Sequence, residues 1–280
     1  SNHPLVKVGV VLATEIKKVR TSSLTELKAS GTKFSCLTSY DATTAEIFDQ
    51  AGIEVILIGD SAGNTVLGHD STLEVTVDEM ISFGKGVSSS VKRALVVIDM
   101  PFGSYEVSPT QALENAILMM KRSGAEAVKL EGGSDRAAQV RAIVAAGIPV
   151  MGHLGFTPQS VHALGGFKVQ GRGEQAAALE KDALALQEAG VFAIVLEMVP
   201  AELSKELSQK LSVPTIGIGA GNGTDGQILV WQDFAGLSSG TRKFVKQYTN
   251  LRNDLAKAAS NYRAEVISGE FPGPEHSFDS

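Results

Sequence analysis

Four stretches of the chain repeat one pattern of apolar and polar positions: "AGIEVILIGD", "SGAEAVKLEGG", "AGIPVMGHLG" and "AGVFAIVLEMV". Each starts with a small residue and a glycine, passes through a few residues of approach, and enters an apolar run that ends on an ionisable side chain. The pattern reads as a helix closed by glycine in a left-handed cap, a tight turn, and a buried parallel strand with chemistry at its C-terminal end. Between these runs the period becomes helical. In "VTVDEM", Thr76 and Glu79 have the spacing of a capping box, and "SPTQALENAILMMKRSG" offers Ser108 as N-cap, Pro109 at the first helical position and Gln111 three residues on. "SDRAAQVRAIVAAG" and "GEQAAALEKDALALQEAG" are helices by composition and period.

Strand cores fall at "FSCLTSY", "VILIGD", "ALVVIDM", "AVKLEG", "VMGHLG", "AIVLEMV", "TIGIGAG" and "ILVWQD". With helices between most of them, this is the βα alternation of a TIM (β/α)8 barrel over about residues 33–235. A doubly wound open sheet shows the same alternation. So many strands ending in polar groups favours a barrel, whose strand ends ring one mouth. A short helix at about 22–30, in "SSLTELKASG", is expected to plug the barrel's bottom, and a long closing helix with a proline-rich tail is expected over about 241–280. The whole chain of 280 residues is read as one domain.

Composition narrows the class. Hydrophobic residues at 43% and charged residues at 20% describe a globular protein, and a net charge of −6 lacks the basic excess of a nucleic-acid binder. Neither a nucleic acid nor a membrane is expected as partner. The single cysteine, Cys36, cannot close an internal disulfide, which favours a reducing, cytoplasmic setting, and its strand context makes it a buried small hydrophobe. The segment "VKVGVVLAT" is too short to span a bilayer and lacks a secretory cleavage pattern.

Tyr40, Asp41, Asp60, Ser61, Asp99, Lys129, Glu131, His153 and Glu197 collect at the strand ends. Lys129 and Glu131, two positions apart, share a face if their strand continues through both. Several carboxylates at one mouth repel unless a cation or lysine stands among them, and oxygen-only ligands suit a hard cation such as Mg²⁺. Plainer readings stand beside these. Asp41, before "ATTAEIF", reads as a helix N-cap; Lys129 with Glu131 also fits a structural ion pair; His153 alone fits a satisfied core histidine. His69 and His162 carry no signal, and "TIGIGAG" has the look of a glycine-rich phosphate loop but is weak by itself.

Together, "GDSAGNTVLGHDSTLEVTVDEM", "VVIDMPFGSY", "AVKLEGG", "GHLGFTPQS", "VLEMVP", "TIGIGAG", "DGQILVWQD" and "FPGPEHSF" closely resemble the ketopantoate hydroxymethyltransferase family, in matching order from about residue 24 to 278. One departure is that "ISFGKGVSSSV" lacks a histidine found on this helix in many relatives. The resemblance implies a Mg²⁺-dependent TIM-barrel enzyme. It would move a hydroxymethyl group from 5,10-methylenetetrahydrofolate to 3-methyl-2-oxobutanoate through a stabilised enolate, giving 2-dehydropantoate on the route to pantothenate and coenzyme A. Carried over residue by residue, it implies Asp60 and Asp99 as metal ligands with Glu131 as a third, directly or through water. Lys129 and Ser61 would hold the oxoacid, with His153 also facing it, and Glu197 would accept the proton. It also implies a homo-oligomer, commonly a decamer. Rival readings are a Mg²⁺-dependent 2-oxoacid lyase or aldolase of the phosphoenolpyruvate mutase and isocitrate lyase type, and an inactive barrel serving as a binding or assembly subunit.

Overall fold

The structure, a computed structural model, describes residues 17–240 and 242–280. Residues 1–16, which include the "VKVGVVLAT" segment, and Thr241 lie outside the described residues. Eight strands close into an all-parallel barrel in sequence order: β1 (Phe34–Thr38), β2 (Val55–Ile58), β3 (Leu95–Asp99), β4 (Ala127–Lys129), β5 (Val150–Gly155), β6 (Ala193–Glu197), β7 (Thr215–Ile218) and β8 (Gly226–Leu229). The helices are α1 (Thr21–Ser30), α2 (Ala42–Gln50), α3 (Ala62–Thr65), α4 (Val77–Ser90), α5 (Pro109–Ser123), α6 (Ala137–Ala145), α7 (Val161–Leu164), α8 (Gln175–Ala189), α9 (Ala201–Lys210), α10 (Trp231–Phe234) and α11 (Leu251–Ser268). The closed barrel settles the choice against an open sheet.

Local chemistry accounts for the element boundaries. Thr76 and Glu79 form the reciprocal capping box of α4, and Ser108 Oγ accepts from Gln111 N at 3.0 Å to start α5 behind Pro109. Gly52, Gly124, Gly147 and Gly190, the glycines of the four repeats, all have positive φ, between +79° and +106°.

Period-two alternation divides the strands between two cores. Ile56, Ile58, Val96, Ile98, Val128, Ile194 and Leu196 face outward against helix residues such as Met80, Ala116, Val140 and Leu186. Val55, Leu57, Leu95, Val97, Ala127, Met151, Ala193 and Val195 fill the barrel, and Leu24 of α1, fully buried, packs with them from below. Cys36 belongs to this inner cluster, where burial pushes its thiol pKa up. Continuing the same alternation upward by two residues delivers Asp99, Lys129, His153 and Glu197 to inward positions above the apolar filling.

Three elements differ from expectation. β4 stops at Lys129, so Leu130 and Glu131 follow the strand, although Leu130 N–H still donates to the Met151 carbonyl at 3.2 Å and Gly132 forms a bridge to His153. β8 ends at Leu229, and Trp231 opens α10, because Val230 is followed by a turn of helix whose Trp231 N–H donates to Thr38 Oγ1 at 3.1 Å. The expected closing helix begins only at Leu251, and none of its residues is buried; residues 242–250 form an irregular strap. Leu255, Tyr262, Val266 and Ile267 stand exposed along α11.

Candidate active site

β3 and β4 pair with Asp99 opposite Lys129, and their side chains meet: Lys129 Nζ lies 3.0 Å from Asp99 Oδ1. Lys129 pairs with Asp99 across the sheet, while Glu131, equally buried, brings Oε1 to 3.6 Å from His153 Nδ1. Burial opposes the lysine's charge, yet the carboxylates of Asp99, Glu131 and Asp60 outweigh it and hold the pKa above its ordinary value.

Lys129 Nζ also donates to His153 Nδ1 at 2.9 Å. An ammonium can only donate, so Nδ1 carries the lone pair and Nε2 carries the proton, which it donates to Glu197 Oε2 at 2.9 Å. Burial, with Lys129 beside it, holds His153 well below its usual pKa, so the ring is neutral. Burial pushes the Glu197 carboxyl up to about 7 against the opposing pull of Lys129 and Arg242. Glu197 is further fixed by its own backbone. Its carbonyl accepts from Phe156 N at 2.8 Å, and a Cβ on Gly155 (φ +88°) would lie 2.2 Å from that oxygen, so only glycine fits there. Met198, next in sequence, holds φ at +51°, a strained value for a side-chain-bearing residue.

Asp60 and Ser61 follow β2. Asp60 N–H donates to Asp99 Oδ2 at 2.9 Å, joining the two aspartates. Burial, then the Asp99 charge, pushes the Asp60 carboxyl up to about 7, with Lys129 opposing. Burial followed by Asp60 likewise drives Glu131 well above the carboxylate range. Ser61 Oγ shares a 2.6 Å hydrogen bond with the buried Tyr40 hydroxyl, itself pushed up to about 12 by burial.

Gln159 and Tyr105, which stand apart from the strand ends, organise the acidic groups. Tyr105 donates to Gln159 Oε1, which fixes the amide so that Nε2 donates to Asp60 Oδ2 at 2.8 Å and to the Met100 carbonyl at 3.0 Å. The Gln159 backbone N–H donates to Glu131 Oε2 at 3.0 Å, and Glu131 N–H donates to Tyr105 at 3.2 Å. Gln159 sits in the turn after β5, where no periodicity marks it.

Other residues stay outside. Asp41 caps α2, accepting from Thr44 N at 2.8 Å, and is exposed. His69 pairs with Glu74 at 3.1 Å. The glycines of "TIGIGAG" serve close packing: a Cβ on Gly219 would meet the Phe244 ring at 3.1 Å and one on Gly221 would meet Ala201 at 2.5 Å. The lysine of "AVKLEGG" joins the site, and its glycines turn the chain away, Gly132 with φ +120° and Gly133 against Asp182.

The donor set fits a hard divalent cation. Asp99 Oδ1 is buried and makes no well-angled hydrogen bond, and Asp60 supplies a second carboxylate beside it. Among the described residues no three of the histidine, cysteine, aspartate and glutamate side chains converge tightly enough to hold an ion alone. An ion between Asp60 and Asp99 would therefore keep water or substrate oxygens in its remaining positions, as Mg²⁺ does. A cavity of about 640 Å³ opens at this layer, its lining including Asp60, Ser61 and Glu197 together with Phe167, Arg242 and Phe244.

The sequence pattern of ketopantoate hydroxymethyltransferase matches residues 18–274. The chain belongs to that family. It is 57% identical over 94% of its length to the 3-methyl-2-oxobutanoate hydroxymethyltransferase of Corynebacterium glutamicum, of which 98% is covered. The enzyme of the same name from Leifsonia xyli subsp. xyli is also 57% identical over 94% of this chain and 95% of its own. Solved structures share the fold at low identity. A phosphonopyruvate hydrolase in complex with oxalate and Mg²⁺ superposes with a TM-score of 0.58 at 15% identity, covering 91% of this chain and 92% of that one. A 2,3-dimethylmalate lyase of the phosphoenolpyruvate mutase and isocitrate lyase superfamily superposes at 0.56 with 17% identity, covering 91% and 92%. Among the described residues, no helix is long and apolar enough to cross a membrane.

Proposed function

We propose that the chain transfers a hydroxymethyl group from 5,10-methylenetetrahydrofolate to 3-methyl-2-oxobutanoate, giving 2-dehydropantoate. Family membership supports the reaction. The observation that carries the chemistry is the setting of Glu197, a carboxylate lifted to about 7, open to the cavity, and held by a neutral histidine. A base poised near neutrality is matched to removing a carbon-bound proton next to a carbonyl.

Asp60 and Asp99 would hold Mg²⁺, with Glu131 acting on it through water. When bound, the ion supplies a Lewis acid for the keto and carboxylate oxygens of the oxoacid. Ser61 and Lys129 hold the oxoacid's negative oxygens, with His153 beside them. Glu197 accepts the C3 proton on the carboxylate oxygen not engaged by His153. The His153 Nε2–H steadies the other oxygen, so the acceptor lone pair is presented in one orientation. The enolate carbon of the oxoacid then forms the new C–C bond.

Balance requires one water, because the donor's methylene carbon bears no oxygen. Water adds to that carbon, both of its C–N bonds break, and tetrahydrofolate leaves with the two nitrogens protonated. The one-carbon unit, released as formaldehyde with its oxidation level unchanged, is attacked by C3, and protonated Glu197 returns its proton to the new hydroxyl oxygen. The site must admit one water rather than exclude all.

The test is exchange of the C3 proton with deuterium in 3-methyl-2-oxobutanoate, followed by NMR with Mg²⁺ and without folate. Glu197→Gln is expected to abolish exchange while the oxoacid still binds. Exchange at the wild-type rate would remove Glu197 from the role. A lyase would cleave a larger oxoacid unaided, whereas this chain is expected to need methylenetetrahydrofolate for product. Self-association is part of the same reading, supported by the exposed apolar side chains of α11.

A further inference from the structure

The cavity is larger than a five-carbon acid needs. At about 640 Å³ it falls within the size range that encloses a drug-sized ligand, about 300–1,000 Å³. Its far wall is built unlike its floor. Phe167, 57% exposed, lies over the fully buried Phe156 with ring centroids 4.6 Å apart. The Arg242 guanidinium lies over the Phe167 ring, its Cζ 4.7 Å from that centroid and 6.0 Å from that of Phe244. Phe244 in turn rests on Gly219 at the end of β7, beside Met198, the residue that follows Glu197.

A guanidinium stacked between aromatic faces keeps its planar donors pointing along its edge, free for a carboxylate. Among the described residues no aspartate or glutamate pairs with Arg242, in contrast to Lys28 and Lys129. The strap that carries it is one-signed. Between Asp233 and Asp254 the sequence has Arg242, Lys243, Lys246 and Arg252 and no acidic residue, in a chain whose net charge is −6. Arg252 also lines the cavity, with its Nε bonded to the Leu237 carbonyl at 2.9 Å. Two aromatic rings with a guanidinium over them and a second arginine in the same lining as a carboxylate base suit a ligand that is aromatic along its body and anionic at one end.

We propose that Phe167, Phe244, Arg242 and Arg252 form the seat of the reduced-folate donor. The pterin points toward Glu197, the benzoyl ring packs at the Phe167 and Phe244 pair beside Arg242, and the glutamate carboxylates meet the two arginines. This assignment rests on the proposed function, since it is the one-carbon donor of that reaction that needs a second seat.

The test measures dissociation constants of tetrahydrofolate, by fluorescence titration, and of 3-methyl-2-oxobutanoate with Mg²⁺, by calorimetry. Wild type is compared with Arg242→Met, Phe167→Ala and Lys243→Met, the last a cation of the strap outside the cavity lining. Arg242→Met is expected to weaken tetrahydrofolate by roughly tenfold or more, the weight of one charge-assisted pair, with oxoacid affinity changed far less. Phe167→Ala, at a position 57% exposed, is expected to act in the same direction. Lys243→Met is expected to leave tetrahydrofolate affinity within about twofold of wild type. Tetrahydrofolate affinity untouched by both cavity variants, or an equal loss in both ligands, would overturn the seat. A wild-type protein that binds the oxoacid but no tetrahydrofolate would overturn the proposed reaction itself.

Discussion

Replacing Glu197 with glutamine separates the needs of chemistry from those of folding. In the folded protein, burial raises this carboxyl from 4.5 to about 7, whereas in the unfolded chain it returns to its ordinary value. Between those limits the folded state binds a proton that the unfolded state has lost, so this group makes stability fall as pH rises through the window. Its contribution is most favourable below 4.5 and fully lost above about 7. A shift of this size corresponds to about 3 kcal/mol, at about 1.4 kcal/mol per unit. Glutamine carries no charge to desolvate and still accepts from His153 Nε2 through its carbonyl oxygen. Glu197→Gln should therefore match wild type near pH 5 and exceed it by up to about 3 kcal/mol at pH 8, or roughly 5 to 10 °C in Tm. The assay is thermal or urea unfolding of both proteins with EDTA at pH 5, 6, 7 and 8. An advantage independent of pH, or a less stable variant at pH 8, would refute the claim that burial of the charge sets this carboxyl. Activity should follow the opposite sign, with C3 exchange by wild type rising as pH passes upward through about 7.

Asp99→Ala strips Lys129 of its nearest counter-charge and should cost about 3–5 kcal/mol by urea unfolding. It should also abolish the divalent-dependent part of oxoacid binding, seen as identical calorimetric titrations with and without EDTA. Gln159→Leu removes the bonds to Asp60 and the Met100 carbonyl and leaves Tyr105 without its acceptor, for a loss of about 1–3 kcal/mol. Divalent-ion affinity should fall about 10- to 100-fold, read from Mn²⁺ binding by electron paramagnetic resonance; unchanged affinity would reduce Gln159 to a structural part. Gly155→Ala forces a Cβ toward the Glu197 carbonyl at a positive φ and should cost more than about 2 kcal/mol, with C3 exchange reduced. Wild-type exchange in that variant would show that the turn does not position Glu197.

Most of the barrel was legible because the chain announces its strands by apolar runs and its helix ends by glycine. Asp60, Asp99, Lys129, His153 and Glu197 could be found because each stands at or just beyond the end of such a run. What the residues alone could not say was who meets whom. Lys129 and Glu131 stand two apart in sequence, yet the lysine meets Asp99 across the sheet and the Glu131 carboxylate accepts from the Gln159 backbone, a fact of register and of a distant turn. Gln159 and Tyr105 come from turns, where side chains have no period to betray them. Arg242 and Phe244 lie in a stretch whose composition suited a helix. The strap instead stays irregular, tied to the barrel by Tyr248 N–H to the Phe234 carbonyl at 2.7 Å and by the Phe244 ring on Gly219. Cys36 and Asp41 followed their plainer readings, one as core filling and the other as a cap.

Inward placement of Asp99, Lys129, His153 and Glu197 follows from parity along four adjacent strands. Gaining or losing one residue within any of them would swing that member to the helix-covered outside and bring an aliphatic neighbour into the mouth. Divergence of this layer is therefore confined to exchanging side chains at constant strand length, while the connecting turns, bound by no such odd-even rule, remain free to lengthen and to take up new ligands.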